Sequence, residues 1–242
     1  MKLKNFLNKS AIVLEQPSLV WAKLRGVTHV HYYHCLTAKG LSSKEIKTLI
    51  DIGANVGNYS KTGKRVFPAA KIYAFEPIKE CCDKITDESI TVFNFALWDI
   101  DNQEDVFYFN KEITGLSSFL KYGSELSGFS KDVQKINILK RRFDKLDLKI
   151  ERPCFVKIDV EGGEDKVISG FGDRLKEVDV LQVELHFGDY YEGREKLSNM
   201  IRVLEEHGLN GFIQKSVGRD KNNIPYQCDI FFFRTKQELN NN

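Results

Sequence analysis

The sequence predicts an α/β, Rossmann-like fold, with a mostly parallel sheet of about seven strands, an antiparallel hairpin at its end and helices on both faces. Two observations predict it. Residues 47–77 contain an apolar strand ending in Asp51, a glycine turn, a short helix and a second strand ending in Glu76, which is typical of a βαβ unit. Near the other end, residues 211–217 and 227–234 form two strand-like runs joined by a polar turn, which indicates a hairpin.

Length and composition are compatible with one such domain. A single hydrophobic core can grow to about 250 residues, and the chain has 242. We predict a helical or lid segment over residues 1–43, the α/β domain over 44–237 with an insertion at about 103–144, and a polar tail over 238–242. The formal net charge is +2, so composition indicates no nucleic-acid partner, and it favours neither a monomer nor an oligomer.

The cysteines and the first residues predict a cytoplasmic protein without a transmembrane segment. The five cysteines are odd in number and lack Cys-x-x-Cys spacing, which favours reduced thiols over a disulfide framework. Glu15, Gln16 and Pro17 interrupt the apolar residues near the start of the chain. Neither a signal peptide nor a membrane span of roughly 20 apolar residues is therefore predicted.

The first half of the domain is predicted to alternate strands with helices. Ser42 or Ser43 is a candidate N-cap for a short turn that precedes the first strand. The predicted strands span residues 48–52, 71–75 and 91–97, and a short helix spans 81–85.

The turn between the first two strands predicts a nucleoside-binding site. Gly53 and Gly57 allow the backbone to approach a ligand closely, and Glu76 follows at about the 20-residue interval at which such folds place a ribose-binding carboxylate. A dinucleotide fold has a third glycine in its phosphate turn, whereas this turn has Ala54, Asn55 and Val56 between its two glycines. The spacing therefore favours S-adenosylmethionine over NAD.

The predicted insertion departs from the alternating pattern. Its strand-like runs span residues 103–110 and 136–144, on either side of a stretch rich in glycine and serine over 115–130. A loop of small residues between two strands of a nucleoside fold is a common place for a substrate lid. Gly115, Ser117 and Ser118 are therefore predicted to line an acceptor site, with a flexible surface loop as the alternative.

Three polar clusters are interpreted as structural rather than as ligand sites. The basic run 140–142 and the acidic turn 99–101 are predicted to be solvated surfaces, although the basic run could also hold an anionic substrate. The histidines and the cysteine of residues 29–35 (HVHYYHC) lie close together. We favour aromatic packing near a cleft over a metal site for them, because no second group of ligands is evident.

Charged residues alternate along two strands predicted over residues 155–160 and 178–187. The polar side chains on one face of each strand are Lys157, Asp159 and Glu161 in the first and Gln182, Glu184 and His186 in the second. Central parallel strands are normally apolar on both faces, so these residues need partners or a function. The last residues of each strand lie at the edge where open α/β sheets bind ligands.

Two chemistries fit a cleft shared by Asp159, Glu161, Glu184 and His186. His186, with Asp159 as the second candidate, could take a proton from an acceptor hydroxyl, since imidazole titrates near neutral pH. Alternatively, the three carboxylates and the histidine could hold a divalent cation, which we do not favour. A buried ion-pair network around Lys157 is the purely structural alternative.

Residues 194–206 are predicted to form an amphipathic helix. Leu197, Ile201 and Leu204 form its apolar stripe, and Gly208 lies just beyond its end. The hairpin strands follow, so the sheet is expected to begin parallel and to end antiparallel.

The chain resembles the FkbM-domain methyltransferases in six motifs that occur in the same order. They are DIGANVG (51–57), AFEP (74–77), FNFALWD (93–99), GLSSFL (115–120), FVKIDVEGGE (155–164) and VELH (183–186). The resemblance covers about residues 49–187 and implies a class I methyltransferase fold. It also implies that S-adenosylmethionine is the cofactor and that the methyl group goes mostly to oxygen, on a sugar of a glycan or a hydroxyl of a specialised metabolite.

By position, the resemblance implies a role for individual residues. Asp51 and the turn after it would hold the methionine end of the cofactor, Glu76 would hold the ribose, and Asp159 would lie beside the methyl donor. The predicted cofactor-binding residues are Asp51, Gly53, Ala54, Asn55, Gly57, Glu76, Pro77, Ala96 and Asp159. The turn after Pro77 departs from the family pattern. A nucleotide-binding oxidoreductase and a catalytically silent S-adenosylmethionine-binding module are the alternative interpretations.

Overall fold

A computed structural model describes residues 28–42, 44–193, 195–220 and 222–235 of the chain. Most of the predicted N-terminal segment, the alternative cap Ser43 and the predicted polar tail lie outside the described residues. Within these ranges, no helix has both the length and the hydrophobicity needed to cross a membrane.

The main sheet has seven strands. They are β1 (Thr48–Ile52), β2 (Lys71–Phe75), β3 (Ile90–Phe93), β7 (Cys154–Ile158), β8 (Val180–His186), β9 (Gly211–Arg219) and β10 (Pro225–Phe233). Their order is β3-β2-β1-β7-β8-β10-β9. The first five in this order pair in parallel, whereas β10 is antiparallel to both β8 and β9. The predicted mostly parallel sheet with a terminal hairpin is therefore confirmed.

The remaining strands and the helices surround this sheet. The strands of a second sheet are β4 (Ala96–Leu97), β5 (Gln103–Asn110) and β6 (Val133–Arg141), and the helices are α1 (His29–Leu41), α2 (Asn58–Val66), α3 (Lys79–Cys82), α4 (Glu164–Phe171) and α5 (Leu197–Glu206). Short 3-10 turns span Thr114–Leu116, Ser124–Asp132, Phe143–Lys145 and Gly172–Glu177.

The central strands bury side chains on both faces, as parallel strands covered by helices must. All residues of β1 and β7 are buried. Leu49 and Phe155 pack in one apolar cluster with residues of α1 and α2, such as Ala38. Ile50 and Val156 face the opposite way and pack with residues of α4 and α5. Helices therefore cover both faces of the sheet, as the sequence predicts.

The predicted strand over residues 91–97 is wrong in its second half. The strand β3 ends at Phe93, and β4 belongs to the second sheet, whose order is β4-β6-β5. Between them, the side-chain amide of Asn94 donates hydrogen bonds to the backbone carbonyls of Glu76 and Pro77, at 3.1 and 2.9 Å. These bonds hold the chain where it leaves the main sheet.

Two predicted boundaries also change. Ser42 is not an N-cap, because it follows the last residue of α1 and its backbone N–H donates to the carbonyl of Ala38 at 3.0 Å. The strand predicted over 155–160 ends at Ile158, because the backbone leaves the extended conformation and reaches a φ of 58° at Glu161.

The basic run is not a solvated surface, contrary to the prediction. Lys140 is 4% exposed, and its ammonium lies 2.6 Å from a carboxylate oxygen of Asp105. Arg141 pairs with Asp101 at 2.9 Å. The neighbouring guanidinium of Arg142 donates to Asp144 at 2.6 Å and to the carbonyl of Asp99 at 2.8 Å. Arg142 also donates to the backbone carbonyl of Ser169 in α4 at 3.3 Å, and this contact joins the end of the second sheet to the core.

Candidate active site

A cavity opens at the carboxyl ends of β1, β2 and β7, the edge where open α/β sheets bind ligands. It contains about 680 Å³ of open space, part of it continuous with solvent. The lining combines polar Asn55, Glu76 and Asp159 with apolar Phe75, Leu97 and Phe119. The predicted residues Pro77 and Ala96 also line it.

The turn after β1 has a backbone that requires glycine. Gly53 has a φ of 74°, and a Cβ added there would lie 1.8 Å from the backbone oxygen of Asp159. Asn55 also has a positive φ, of 48°, and lines the cavity. Gly57, with a φ of 77°, packs against Ile85, where a Cβ would lie 2.8 Å from that side chain. Gly53 and Asn55 therefore face the cavity, whereas Gly57 shapes the turn from behind.

Glu76 presents a buried carboxylate to the cavity. One oxygen accepts the backbone N–H of Asn55 at 2.7 Å, and the other accepts that of Ile78 at 2.9 Å. Burial raises the pKa of this carboxyl group to about 7, and the two N–H donors oppose that rise. Each oxygen has a second lone pair, so the carboxylate can accept two further hydrogen bonds from a ligand.

Asp51 lies behind the cavity rather than on its surface. It is fully buried, and one of its oxygens accepts the hydroxyl of Ser60 at 2.6 Å. The other lies 3.4 Å from the ammonium of Lys157. The predicted direct contact with the cofactor is therefore not supported by its position. Ala54 is likewise buried, at 4% exposure.

Lys157 joins the residues at the end of β1 to Asp159, which lines the cavity. Its ammonium donates to the backbone carbonyl of Gly53 at 3.0 Å and lies 3.3 Å from Asp159 and 3.4 Å from Asp51. Burial alone would lower the pKa of this ammonium, but the carboxylates of Asp159 and Asp51 outweigh burial and raise it. The lysine is therefore held in its charged form, as the structural alternative anticipated.

The predicted cluster at the ends of β7 and β8 is brought together. Ligand atoms of Glu161, Glu184 and His186 all lie within 4.8 Å of one another. The Nε2 atom of His186 lies 3.5 Å from a carboxylate oxygen of Glu161. Asp159 is hydrogen-bonded to Glu184, so the fourth predicted residue joins the same group. We call these four residues the acidic cluster.

The carboxyl groups of the acidic cluster differ in pKa. Burial raises the pKa of Glu161 and of Glu184, and the negative charge of Asp159 raises both further. Burial also acts on Asp159, but the nearby Lys157 ammonium outweighs it and lowers the pKa of that carboxyl group. Lys157 thus favours the ionised form of Asp159, whereas burial favours the protonated form of the two glutamates.

Glu161 is held in a strained position by its neighbours. It has a φ of 58° although it is not glycine, which is uncommon and carries backbone strain. The hydroxyl of Tyr191 donates to its carboxylate at 2.6 Å. Its backbone carbonyl accepts the hydroxyl of Ser118, also at 2.6 Å. The loop after β5 and the segment after β8 therefore fix the orientation of one member of the acidic cluster.

The two predicted serines have different positions. Ser117 and Gly115 line the cavity, and the Ser117 hydroxyl accepts the backbone N–H of Asn110 at 3.0 Å. Ser118 is fully buried, and its hydroxyl is used in the contact with Glu161. Ser118 therefore positions the site from behind instead of contacting an acceptor.

Aromatic residues of the cavity wall were missed in the sequence. Trp98, Phe107 and Phe119 all line the cavity. The buried ammonium of Lys140 lies 4.7 Å from the ring centre of Trp98 and 4.1 Å from that of Phe119, as cation–π contacts. The alternation of residues 103–110 could have indicated that Phe107 faces the interior. The packing of Lys140 against two aromatic rings distant in sequence could not be predicted from any local pattern.

The histidines of α1 pack against the domain. The ring of His31 lies 5.1 Å from that of Tyr59, and the ring of His34 lies 5.6 Å from that of Phe231. Burial lowers the pKa of His34 to about 4. Its Nδ1 atom lies 2.9 Å from the side-chain nitrogen of Gln182. Among the described residues, the group with metal-ligand spacing is Glu161, Glu184 and His186 rather than these histidines.

Comparison with known proteins identifies a family. Residues 51–209 match the sequence profile of the methyltransferase FkbM domain. One curated relative is the hexuronic acid methyltransferase AglP of Haloferax volcanii, which is 24% identical over 184 residues. The aligned part covers 74% of this chain and 73% of that relative.

Solved methyltransferase structures match at lower identity. An FkbM methyltransferase from Methylobacillus flagellatus KT has 14% identity and a TM-score of 0.48, over 78% of this chain. This chain spans 44% of that protein, which is less than half of its length. Human N-acetylserotonin methyltransferase, solved in complex with S-adenosylmethionine, has 15% identity and a TM-score of 0.45, over 86% of this chain and 52% of that one.

Proposed function

The chain belongs to the FkbM-domain family of S-adenosylmethionine-dependent methyltransferases, and from that premise we propose that it methylates a hydroxyl oxygen of a saccharide or specialised metabolite. One observation carries the proposal. The acidic cluster places His186 and three carboxylates together, and two of its members, Asp159 and Glu161, line the cavity. Removal of a hydroxyl proton needs a base of this kind at the acceptor.

The chemistry of the cavity fits S-adenosylmethionine. The carboxylate of Glu76 has lone pairs for the two hydroxyls of a ribose, and apolar Phe75, Ile78 and Leu97 beside it can enclose a flat heterocycle. At the other end, the ionised Asp159 carries a charge opposite to that of the cofactor's ammonium and sulfonium groups. We assign Glu76 to the ribose, and Gly53, Asn55 and Asp159 to the methionine end.

The residues of the chain supply binding, orientation and proton transfer. When bound, S-adenosylmethionine supplies a methyl group on sulfur, which the acceptor oxygen takes as the sulfur–carbon bond breaks and S-adenosylhomocysteine leaves. Alignment of the acceptor within about 3 Å supplies much of the acceleration. His186 is the first candidate to take the hydroxyl proton and Asp159 the second, because both belong to the acidic cluster.

A saccharide acceptor is favoured by the relative from Haloferax volcanii, whose name specifies a hexuronic acid. The small net charge of +2 supports the view that nucleic acid is not the acceptor. An oxidoreductase role has no support, because the matched family transfers methyl groups.

The proposal is tested in two stages with the full chain. Calorimetry with S-adenosylhomocysteine is expected to show one binding site per chain, whereas NADH is expected not to bind. Incubation with S-adenosylmethionine and a panel of neutral and acidic oligosaccharides is then expected to add one methyl mass to a hydroxyl. Cofactor binding without transfer to any saccharide or hydroxylated metabolite would favour a catalytically silent module.

A further inference from the structure

We propose that Glu161, Glu184 and His186 bind one divalent cation of the Mg²⁺ or Mn²⁺ type beside the acceptor. The role toward the acceptor rests on the proposed function, whereas the binding site itself does not. With the cation present, His186 is a ligand, and Asp159 remains as the group that takes the proton.

Geometry is the first support. A cation with ligands at about 2.1 Å in an octahedron separates neighbouring ligand atoms by about 3.0 Å and opposite ones by about 4.2 Å. Here, ligand atoms of the three residues all lie within 4.8 Å of one another, and the His186 to Glu161 separation is 3.5 Å. Shifts of less than about 1 Å would therefore complete three positions of a coordination shell.

The imidazole distinguishes this group from a surface patch of acids. His186 is 8% exposed, and its Nε2 atom is directed at the carboxylate of Glu161. The two carboxylates suit Mg²⁺ or Mn²⁺, and of these two ions Mn²⁺ binds an imidazole more readily. Catalytic zinc sites use the same ligand types, so Zn²⁺ is a competing ion. Among the described residues, every cysteine is buried and none is in this group.

The ligands are held in place by residues behind them. The hydroxyl of Tyr191 donates to Glu161 at 2.6 Å, and the side-chain amide of Gln227 donates to Glu184 at 2.9 Å. Donors of this kind orient metal ligands and hold a site ready for its ion. The Glu161 oxygen that accepts Tyr191 is also the one nearest His186, so a cation there would bind through the second lone pair of that oxygen.

Charge balance is the third support. Lys157, the neighbouring ammonium, is already shared by Asp51, Asp159 and the carbonyl of Gly53. The carboxylates of the two glutamates lie within 4.8 Å of each other, and Asp159 is hydrogen-bonded to Glu184. A divalent cation would offset both glutamate charges and would lower the pKa of a hydroxyl bound to it, which promotes transfer to oxygen.

The test measures cation binding without the cofactor. The full chain is treated with EDTA, desalted and titrated with Mn²⁺, and the free ion is followed by its electron paramagnetic resonance signal. We expect one Mn²⁺ per chain, and binding at least about tenfold weaker in Glu184→Gln, in Glu161→Gln and in His186→Gln. Thermal unfolding of each variant checks that it is folded.

Asp229→Asn is the matched control. Asp229 is a buried carboxylate on β10, directly opposite Glu184 in the strand register, but it is outside the ligand group. Its replacement removes the same charge without removing a ligand, so binding is expected to weaken by less than about threefold. A loss in Asp229→Asn equal to that in Glu184→Gln would overturn the site, as would the absence of stoichiometric binding to the wild-type chain.

Two further outcomes separate this inference from the proposed function. If S-adenosylhomocysteine binds the EDTA-treated protein and Mn²⁺ does not bind, the cation site is wrong and the proposed function stands. If Mn²⁺ binds through these three residues and S-adenosylhomocysteine does not bind, the cation site stands and the methyltransferase assignment of this cavity is wrong.

Discussion

The two ends of the cavity differ in how their carboxylates are satisfied. At the cofactor end, Glu76 accepts two backbone N–H groups, and both donors come from turns next to it in the main sheet. At the proposed acceptor end, Glu161 lines the cavity and lies close to Asp159 and to Glu184. Backbone donors orient the carboxylate of the first end, whereas burial and neighbouring charge favour protonation of the glutamates at the second.

The difference shows how one edge of a sheet can provide both a preformed cofactor site and an acceptor site that responds to its ligand, as proposed here. Backbone donors are present whatever the ligand, so the cofactor end changes little on binding. Side-chain charges at the acceptor end respond to what is bound, because each carboxylate alters the pKa of the next. Lys157 connects the two ends, so its replacement is the most direct test of whether they are independent.

Replacement of Lys157 is expected to have the largest effect. In Lys157→Met the fully buried Asp51 loses its cationic partner, and the loss of a buried partner costs about 3–5 kcal/mol of unfolding free energy. The double variant Lys157→Met/Asp51→Asn is expected to recover part of this loss, because it leaves no unpaired buried charge. The amide introduced at position 51 can still accept the Ser60 hydroxyl. Urea denaturation measures both. Equal stability of the single and double variants would show that Asp51 does not depend on Lys157.

Changes in the acidic cluster are expected to act on turnover. His186→Ala or Asp159→Asn should lower methyl transfer by about 100-fold, or about 2.7 kcal/mol of transition-state stabilisation, because proton transfer or cation binding is lost. The affinity for S-adenosylhomocysteine, measured by calorimetry, should stay near the wild-type value. Normal turnover with affinity reduced tenfold would contradict this division between the two ends.

Replacement of Glu76 tests the cofactor end. Glu76→Ala removes an acceptor for the ribose hydroxyls, and hydrogen bonds to a charged group contribute about 1–3 kcal/mol. Calorimetry should therefore show S-adenosylhomocysteine binding weakened by about 10- to 100-fold. An unchanged dissociation constant in a folded Glu76→Ala protein would refute the ribose assignment.

The pH dependence of cofactor binding gives the smallest expected effect. Burial raises the pKa of Glu76 to about 7, and the ionised form is the better acceptor for hydroxyl donors. Affinity for S-adenosylhomocysteine should therefore fall by about tenfold from pH 8 to pH 6, and Glu76→Gln should abolish this change.

The ionisation of Glu76 is expected to change the stability of the fold in the opposite direction: a rise in pH should strengthen cofactor binding but lower the free energy of unfolding. The pKa of this carboxyl group is higher in the folded chain than the ordinary 4.5, so its contribution to folding is greatest below pH 4.5 and is lost as the pH rises through about 7. Comparison of the wild type with Glu76→Gln isolates this effect from that of Glu164, whose pKa burial also raises to about 7.

The proposed cofactor end of the cavity could be predicted because its residues lie close together in the sequence. Gly53, Asn55 and Glu76 belong to one βαβ unit, and strand ends in a parallel sheet meet at one edge. The convergence of Asp159, Glu161, Glu184 and His186 followed from alternation along two strands that turned out to be neighbours. The position of Asp51 behind the cavity could not be predicted, because alternation along a strand does not show which helix or loop each face packs against.

The sequence by itself determined the fold class, the glycine turn, the Glu76 carboxylate at the end of β2 and the set of residues in the acidic cluster, because these depend on local periodicity and on strand ends. Only the tertiary structure decided that β4 leaves the main sheet, that Lys140 packs beneath the cavity wall, and that Ser118 and Tyr191 hold Glu161 from positions 43 and 30 residues away. Such contacts depend on how segments far apart in the sequence pack together, and no local pattern of residue types specifies that packing.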